Sequence, residues 1–229
     1  MNKLSELQRQ IGYEFKNVDL LKNALTHTSY ANEHKKKMIK HNERLEFLGD
    51  SVLSLIVTTY LFKNLSNITE GELSRIRSTI VCENSLKISG DEFNLSRYIY
   101  MGKGEEQTGG RGRSSIVSDA MEALIASIYL DSSYENAQEF VLRQMGDIIK
   151  NAIQGKLFKD YKTQYQEVIQ KNSNAKIEYV VISEEGPDHQ KTFTVSLLLN
   201  DNLVSTGNGR SKKVAEQNAA EIALEKINE

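Results

Sequence analysis

Between Leu4 and about Gly155, apolar residues recur at helical spacing in "VDLLKNALTHTSYAN", "RLEFLGDSVLSLIVTTYLF", "LSRIRSTIVCENSLKISGDEF", "DAMEALIASIYLD" and "YENAQEFVLRQMGDIIKNAI". That period marks one apolar face per helix. Strand-like alternation is almost absent, so this part is expected to be all-α. Turn signals separate the runs, in "NLSNITEG" and in "GKGEEQTGGRGRSS", whose closely spaced glycines and two arginines mark a mobile loop. After "GKLFKD" the pattern changes. A short helix, "YKTQYQEVIQ", precedes three β-rich, partly alternating stretches, "KIEYVVIS", "KTFTVSLLLN" and "NLVSTGNG", and an alanine-rich helix, "SKKVAEQNAAEIALEKI", follows them. The α-β-β-β-α order suits an α+β domain, an antiparallel three-stranded sheet packed by two helices on one face. The expected division is residues 1–153, a linker at 154–158 and residues 159–229.

Composition narrows the class. The 229 residues are 39% hydrophobic and 26% charged, close to a soluble globular average, so a folded chain is expected. The start, "MNKLSELQRQIGYEF", lacks the apolar core of a signal peptide, and no apolar run approaches the roughly 20 residues that span a bilayer. A cytoplasmic protein without membrane partners is expected. Cys82 is the single cysteine, which excludes an internal disulfide and a cysteine-cluster metal site; a reduced core residue is expected there. The net charge is −2, and each part is balanced, with 19 basic and 20 acidic residues before residue 155 and 10 and 11 after it. Any affinity for nucleic acid must come from local clusters.

The chemistry concentrates in "NERLEFLGDSVL". On a helix, Glu43, Glu46 and Asp50 share one acidic stripe, while Leu45, Leu48, Val52 and Leu55 face elsewhere. Like charges at this spacing cost a few tenths of a kcal/mol, and Gly49 costs about 1 kcal/mol relative to alanine, so something must compensate. One reading is a solvated acidic face with a glycine for close packing. A second acidic pair favours another: "SDAMEALIASIYLD" sets Asp119 and Glu122 three residues apart in a strongly apolar helix, where Ala120, Ala123, Leu124, Ala126 and Ile128 look buried. A carboxylate there needs a cation, hydrogen bonds or a metal. An all-oxygen donor set suits Mg²⁺, which retains waters and assists phosphodiester hydrolysis by activating water and offsetting phosphate charge. No histidine pair is available for a 2′-hydroxyl, cyclic-phosphate route.

"HNERLEFLGDSVL" with "SDAMEALIASIYLD" resembles the paired signature of the ribonuclease III family, and "EGELSRIRSTIV" resembles the segment between them. The resemblance covers nearly the whole chain in family order. It implies a magnesium site, with manganese as a substitute, formed by Glu46, Asp50, Asp119 and Glu122, with Asp50 and Glu122 catalytic. It implies auxiliary roles for Glu43, in subunit contact or support, and for Glu70, in orienting the attacking water. Phe47 reads from sequence as a core aromatic; the resemblance instead implies a knob between two nuclease domains. One carboxylate set per chain suits a two-fold homodimer that cuts both strands.

The last 70 or so residues resemble a double-stranded RNA-binding domain in "DYKTQYQEVIQ", "EEGPDHQKTFTV" and "GNGRSKKVAEQNAA". Such domains read 2′-hydroxyls and phosphates across about 16 base pairs of A-form RNA. The resemblance assigns Thr163, Gln166 and Glu167 to one minor groove, His189 to the next, and Ser211, Lys212 and Lys213 to the phosphates between them, where helix N-terminal N–H groups add to the lysine charge. Taken singly, "SKK" reads as a helix cap and His189 as an exposed loop residue. Gly207 and Gly209 are expected in a tight turn that delivers the lysines, with Arg210 adding charge. "HKKKMIKH", Arg111 and Arg113 face either RNA or solvent, and His27 is expected to serve structure. The expected function is Mg²⁺-dependent endoribonuclease cleavage of duplex RNA, leaving 5′-phosphate and 3′-hydroxyl ends, in ribosomal and messenger RNA processing. The rival is a non-cleaving duplex-RNA scaffold.

Overall fold

A computed structural model describes residues 3–157, 161–170, 175–186 and 191–228. The chain forms two compact units, Met1–Phe158 and Lys159–Glu229. The first contains α1 (Lys3–Gln10), α2 (Val18–Ala24), α3 (Thr28–Glu33), α4 (Glu43–Asn64), α5 (Glu70–Ile80), α6 (Glu83–Glu92), α7 (Lys103–Gln107), α8 (Ser114–Asp131), α9 (Tyr134–Gln144) and α10 (Gly146–Ile153). Among its described residues the strand-like pairing is an isolated bridge between Thr26 and Tyr100. That bridge divides the first long periodic run into α2 and α3: His27 N donates to Tyr100 O at 3.0 Å, and Tyr100 N donates to Leu25 O at 2.7 Å. Backbone groups used across the fold cannot continue a helix. His27 then caps α3, its Nδ1 accepting from Ser29 N, which is a structural task of the kind expected. Extended backbone at Cys82 separates α5 from α6. Cys82 is half-buried, at the edge of the core rather than within it.

The long helices α4 and α8 carry the core. Val52, Leu53, Ile56, Val57 and Leu61 of α4, and Ile116, Val117, Ala120, Met121, Leu124, Ile125 and Ile128 of α8, are buried together. Leu45 and Val52 are buried, but Leu55 is 56% exposed, so the expected apolar stripe turns outward at its end. The 22 residues of α4 are long and apolar enough to cross a membrane by length and composition. This corrects the expectation that no run approaches that length, although five of its apolar residues fill the core named above.

The glycine-rich stretch is not an open loop. It forms α7 and a 3₁₀ turn at Gly110–Gly112, pinned by its own arginines. Arg111 donates to Glu106 and to the Ser96 and Ile99 carbonyls, and Arg113 donates to Glu105. Charge-assisted bonds to main-chain carbonyls hold that segment down.

The second unit runs α11 (Tyr161–Gln170), β1 (Ile177–Glu185), β2 (Thr192–Leu199), β3 (Asn202–Gly209) and α12 (Lys212–Asn228). The strands pair antiparallel in the order β1-β2-β3. Asn200 and Asp201, both at positive φ, make the tight turn between β2 and β3. Tyr165, Leu197, Ala219, Ala220 and Ala223 form the core. Gly207 and Gly209 lie within β3 and not in a turn. A Cβ at Gly207 would sit 2.2 Å from Ala219 N, and one at Gly209 would sit 2.5 Å from Ala215 N. Both glycines exist so that α12 can press its alanine face onto the strand.

Candidate metal centre and nucleic-acid interface

The centre is built where α4 and α8 touch. A Cβ at Gly49 would lie 1.9 Å from the carbonyl oxygen of Glu122, so the two backbones are in direct contact there. Glu46 and Asp50, flanking Gly49 on α4, are thereby set against Asp119 and Glu122 on α8. Carboxylate oxygens of Glu46, Asp119 and Glu122 lie within 4.8 Å of one another, and all three residues are half-buried. Asp50 is exposed at the rim and is the strongest charged neighbour of Glu122.

Electrostatics record the crowding. Burial, then the charges of Asp50, Asp119 and Glu46, push the Glu122 carboxyl up to about 8. Burial, then Asp119 and Glu43, raise that of Glu46. Burial raises Asp119 as well; the Ser118 hydroxyl and the neighbouring His27 work against it, while Glu83 and Glu43 add to the rise. Glu43 therefore belongs to the electrostatic rim of the cluster. Its other neighbour is His41, whose Nδ1 lies 3.7 Å from Oε2.

Carboxylate oxygen is the only donor type in the cluster, a set that fits a hard divalent cation and not one preferring sulfur or nitrogen. Like charges held this close persist only if a proton or a cation offsets them. Glu122 would titrate near 4.5 in an unfolded chain and near 8 here. Over that window the folded state retains a proton that the unfolded state releases, so metal-free stability must fall as pH rises. After discounting for partial solvent screening, the loss is about 2 kcal/mol, or roughly 4–8 °C in Tm for a chain of this size. Thermal unfolding in chelator should show this fall between pH 5 and pH 8. Magnesium should raise Tm more at pH 8 than at pH 5; an equal rise would place the cation elsewhere.

Two expected residues lie apart from the cluster. Glu70 begins α5, accepts from the Ser74 hydroxyl at 2.9 Å, and lines a cavity of about 220 Å³ with Thr58, Leu61, Phe62, Leu73 and Arg77. Phe47 is 80% exposed, not a core aromatic, and Phe62 on the same helix is 75% exposed.

In the second unit, Thr163, Gln166 and Glu167 are exposed at helical spacing on α11, opposite the buried Tyr165. Ser211, Lys212 and Lys213 are exposed at the start of α12. The Ser211 hydroxyl accepts from Val214 N at 3.3 Å, so it caps the helix and retains its own O–H for a ligand. His189 lies outside the described residues. The sequence reading missed Glu184. Its carboxylate is 3.1 Å from Lys212 Nζ, yet 27 residues and a sheet register separate the two in sequence, so no local pattern could have paired them.

Residues 17–149 match the family model described as Ribonuclease-III-like, and residues 161–227 match the double-stranded RNA binding motif. Ribonuclease 3 of Clostridium perfringens is 50% identical, the alignment covering 99% of this chain and 94% of that one. This chain belongs to the ribonuclease III family. Another member, Ribonuclease 3 of Clostridium tetani, is 51% identical over 99% of this chain and 97% of its own. The solved ribonuclease III nuclease domain of Campylobacter jejuni superposes with a TM-score of 0.59 at 40% identity, covering 63% of this chain and 97% of that one. In that Campylobacter protein, a region involved in dimer formation is structurally flexible.

Proposed function

We propose that the chain is an endoribonuclease that hydrolyses double-stranded RNA at the α4–α8 carboxylate cluster and leaves 5′-phosphate and 3′-hydroxyl ends. The observation that carries this reading is the convergence of Glu46, Asp119 and Glu122 within 4.8 Å, in a chain that also bears a double-stranded RNA binding motif. Glu46, Asp50, Asp119 and Glu122 would hold magnesium, or manganese in its place. A bound divalent cation supplies charge neutralisation at the phosphate and lowers the pKa of water. The protein's own part is to make cleavage conditional: a half-buried, strongly acidic pocket repels a phosphodiester until its charge is offset. Asp50 lies at the exposed rim, and the more buried Glu122 holds or yields a proton according to the charge around it. Glu43 supports the rim from the His41 side. All four carboxylates of the family signature are present, which disfavours the non-cleaving scaffold.

The working unit of this proposal is a homodimer. An isologous interface needs a self-complementary patch. On α4 the side chains of Phe47, Leu55 and Phe62 are all exposed, and Phe62 lines the cavity that Glu70 also lines. Burial of Phe47 against a second copy accounts for its exposure in the single chain. Phe47→Ala should weaken self-association by at least about thirtyfold in Kd, the scale of an interface anchor; sedimentation at several concentrations reads this directly. We place the activity in the cytoplasm, in the processing of ribosomal and messenger RNA. The functional test compares substrates: in Mg²⁺ the protein should cut a duplex and leave a single strand of the same sequence and free nucleotides intact. Equal turnover on nucleotides would replace this reading with a general phosphohydrolase.

A further inference from the structure

The contact left unexplained by duplex binding is an ion pair at the start of α12. Lys212 Nζ lies 3.1 Å from Glu184 Oε1, and Lys191 Nζ lies 3.7 Å from Glu184 Oε2. The sheet register builds this arrangement. Glu184 pairs with Phe193, and Phe193 pairs with Gly209, so the end of β1, the start of β2 and the end of β3 form one row. Because Gly209 lacks a Cβ, the first turn of α12 can lie on that row. Lys212 then extends across the Phe193 ring, its Nζ 5.7 Å from the centroid, toward the carboxylate. The Glu184 carboxyl is held below its ordinary range, chiefly by the hydrogen bond from Lys212.

A pair this exposed contributes little to folding. Beside a polyanion it has a larger effect, because a phosphate at the α12 N-terminus must displace Glu184 from Lys212 and then remain close to the freed negative charge. We propose that Glu184 is an affinity-limiting counter-charge, holding Lys212 in reserve and lowering the affinity of this face for duplex RNA so that cut duplexes leave. This inference rests on the reading in which Lys212 contacts RNA phosphate. Glu184 sets how tightly the known substrate class is held and takes no part in the chemistry.

The test uses the full chain in chelator, so that duplex RNA is bound without being cut. Glu184→Gln should bind duplex roughly threefold more tightly near 0.1 M salt, the scale of one unscreened charge at several ångströms in water. Its log K against log salt slope should steepen by up to about one phosphate contact, with melting temperature unchanged. Glu184→Asp, which keeps the charge, should bind as the wild type does. Lys212→Ala should cost more affinity in the Glu184→Gln background than in the wild type, since the lysine is free only there. Unchanged or weaker binding by Glu184→Gln overturns the proposal, as does an equal cost of Lys212→Ala in both backgrounds. A Lys212→Ala cost of zero in both overturns the phosphate role of Lys212 itself, a failure distinguishable from the first.

Discussion

Glu122→Gln is expected to lower the turnover of duplex RNA in Mg²⁺ by on the order of 10³-fold, the scale of losing a group aimed at transition-state charge. The amide fills the same space but supplies no negative charge. Glu122 is the cluster member pushed furthest from its ordinary range, to about 8, under the charges of Asp50, Asp119 and Glu46. Its removal should weaken cation binding and also relieve the metal-free protein of its most strained carboxylate, so Tm in chelator at pH 8 should rise. Duplex affinity should not fall, because Lys212, Lys213 and the exposed face of α11 belong to the other compact unit. Loss of turnover with retained fold and binding identifies a chemical role. Normal turnover would show that the centre lies elsewhere.

Gly49→Ala is expected to be the most damaging small substitution in the nuclease unit. The added methyl would fall 1.9 Å from a main-chain oxygen and 2.4 Å from a main-chain carbon of Glu122, and no rotamer change can relieve a clash with backbone. The helices must move apart, at a cost of about 3 kcal/mol or more, the upper end for overpacked cores. The same movement separates Glu46 from Asp119 and Glu122, so cation affinity should fall along with stability. Chemical denaturation and a magnesium-dependent melting shift would read the two losses. Unchanged stability would mean that the helices do not touch at Gly49.

How much of this was legible in sequence depended on range. The α4 and α8 carboxylates could be read because helical spacing alone puts Glu46 with Asp50 and Asp119 with Glu122 on shared faces. Gly49 was legible as a packing glycine in a helix that had no local reason to carry one. The bridge between Thr26 and Tyr100 that breaks α2 from α3 was not legible, since it joins segments more than seventy residues apart. The roles of Gly207 and Gly209 were misread for a related reason. A glycine that admits a helix onto a strand and a glycine that turns a chain look alike until the partner, here Ala215 and Ala219, is known. Arg111 and Arg113 looked like free cations in a loop because their carbonyl and carboxylate partners are brought to them only by folding. Phe47 had one sequence reading as core and another as knob, and its 80% exposure favours the second.

The carboxylates of α4 and α8 should support cleavage of duplex RNA only with a divalent cation. Mapping the termini made on each strand of a defined duplex, in Mg²⁺ and in chelator, tests it most directly. In Mg²⁺ both strands should be cut and carry 5′-phosphate and 3′-hydroxyl ends, and in chelator neither strand should be cut. Cleavage that persists in chelator, or that leaves cyclic-phosphate ends, would contradict it.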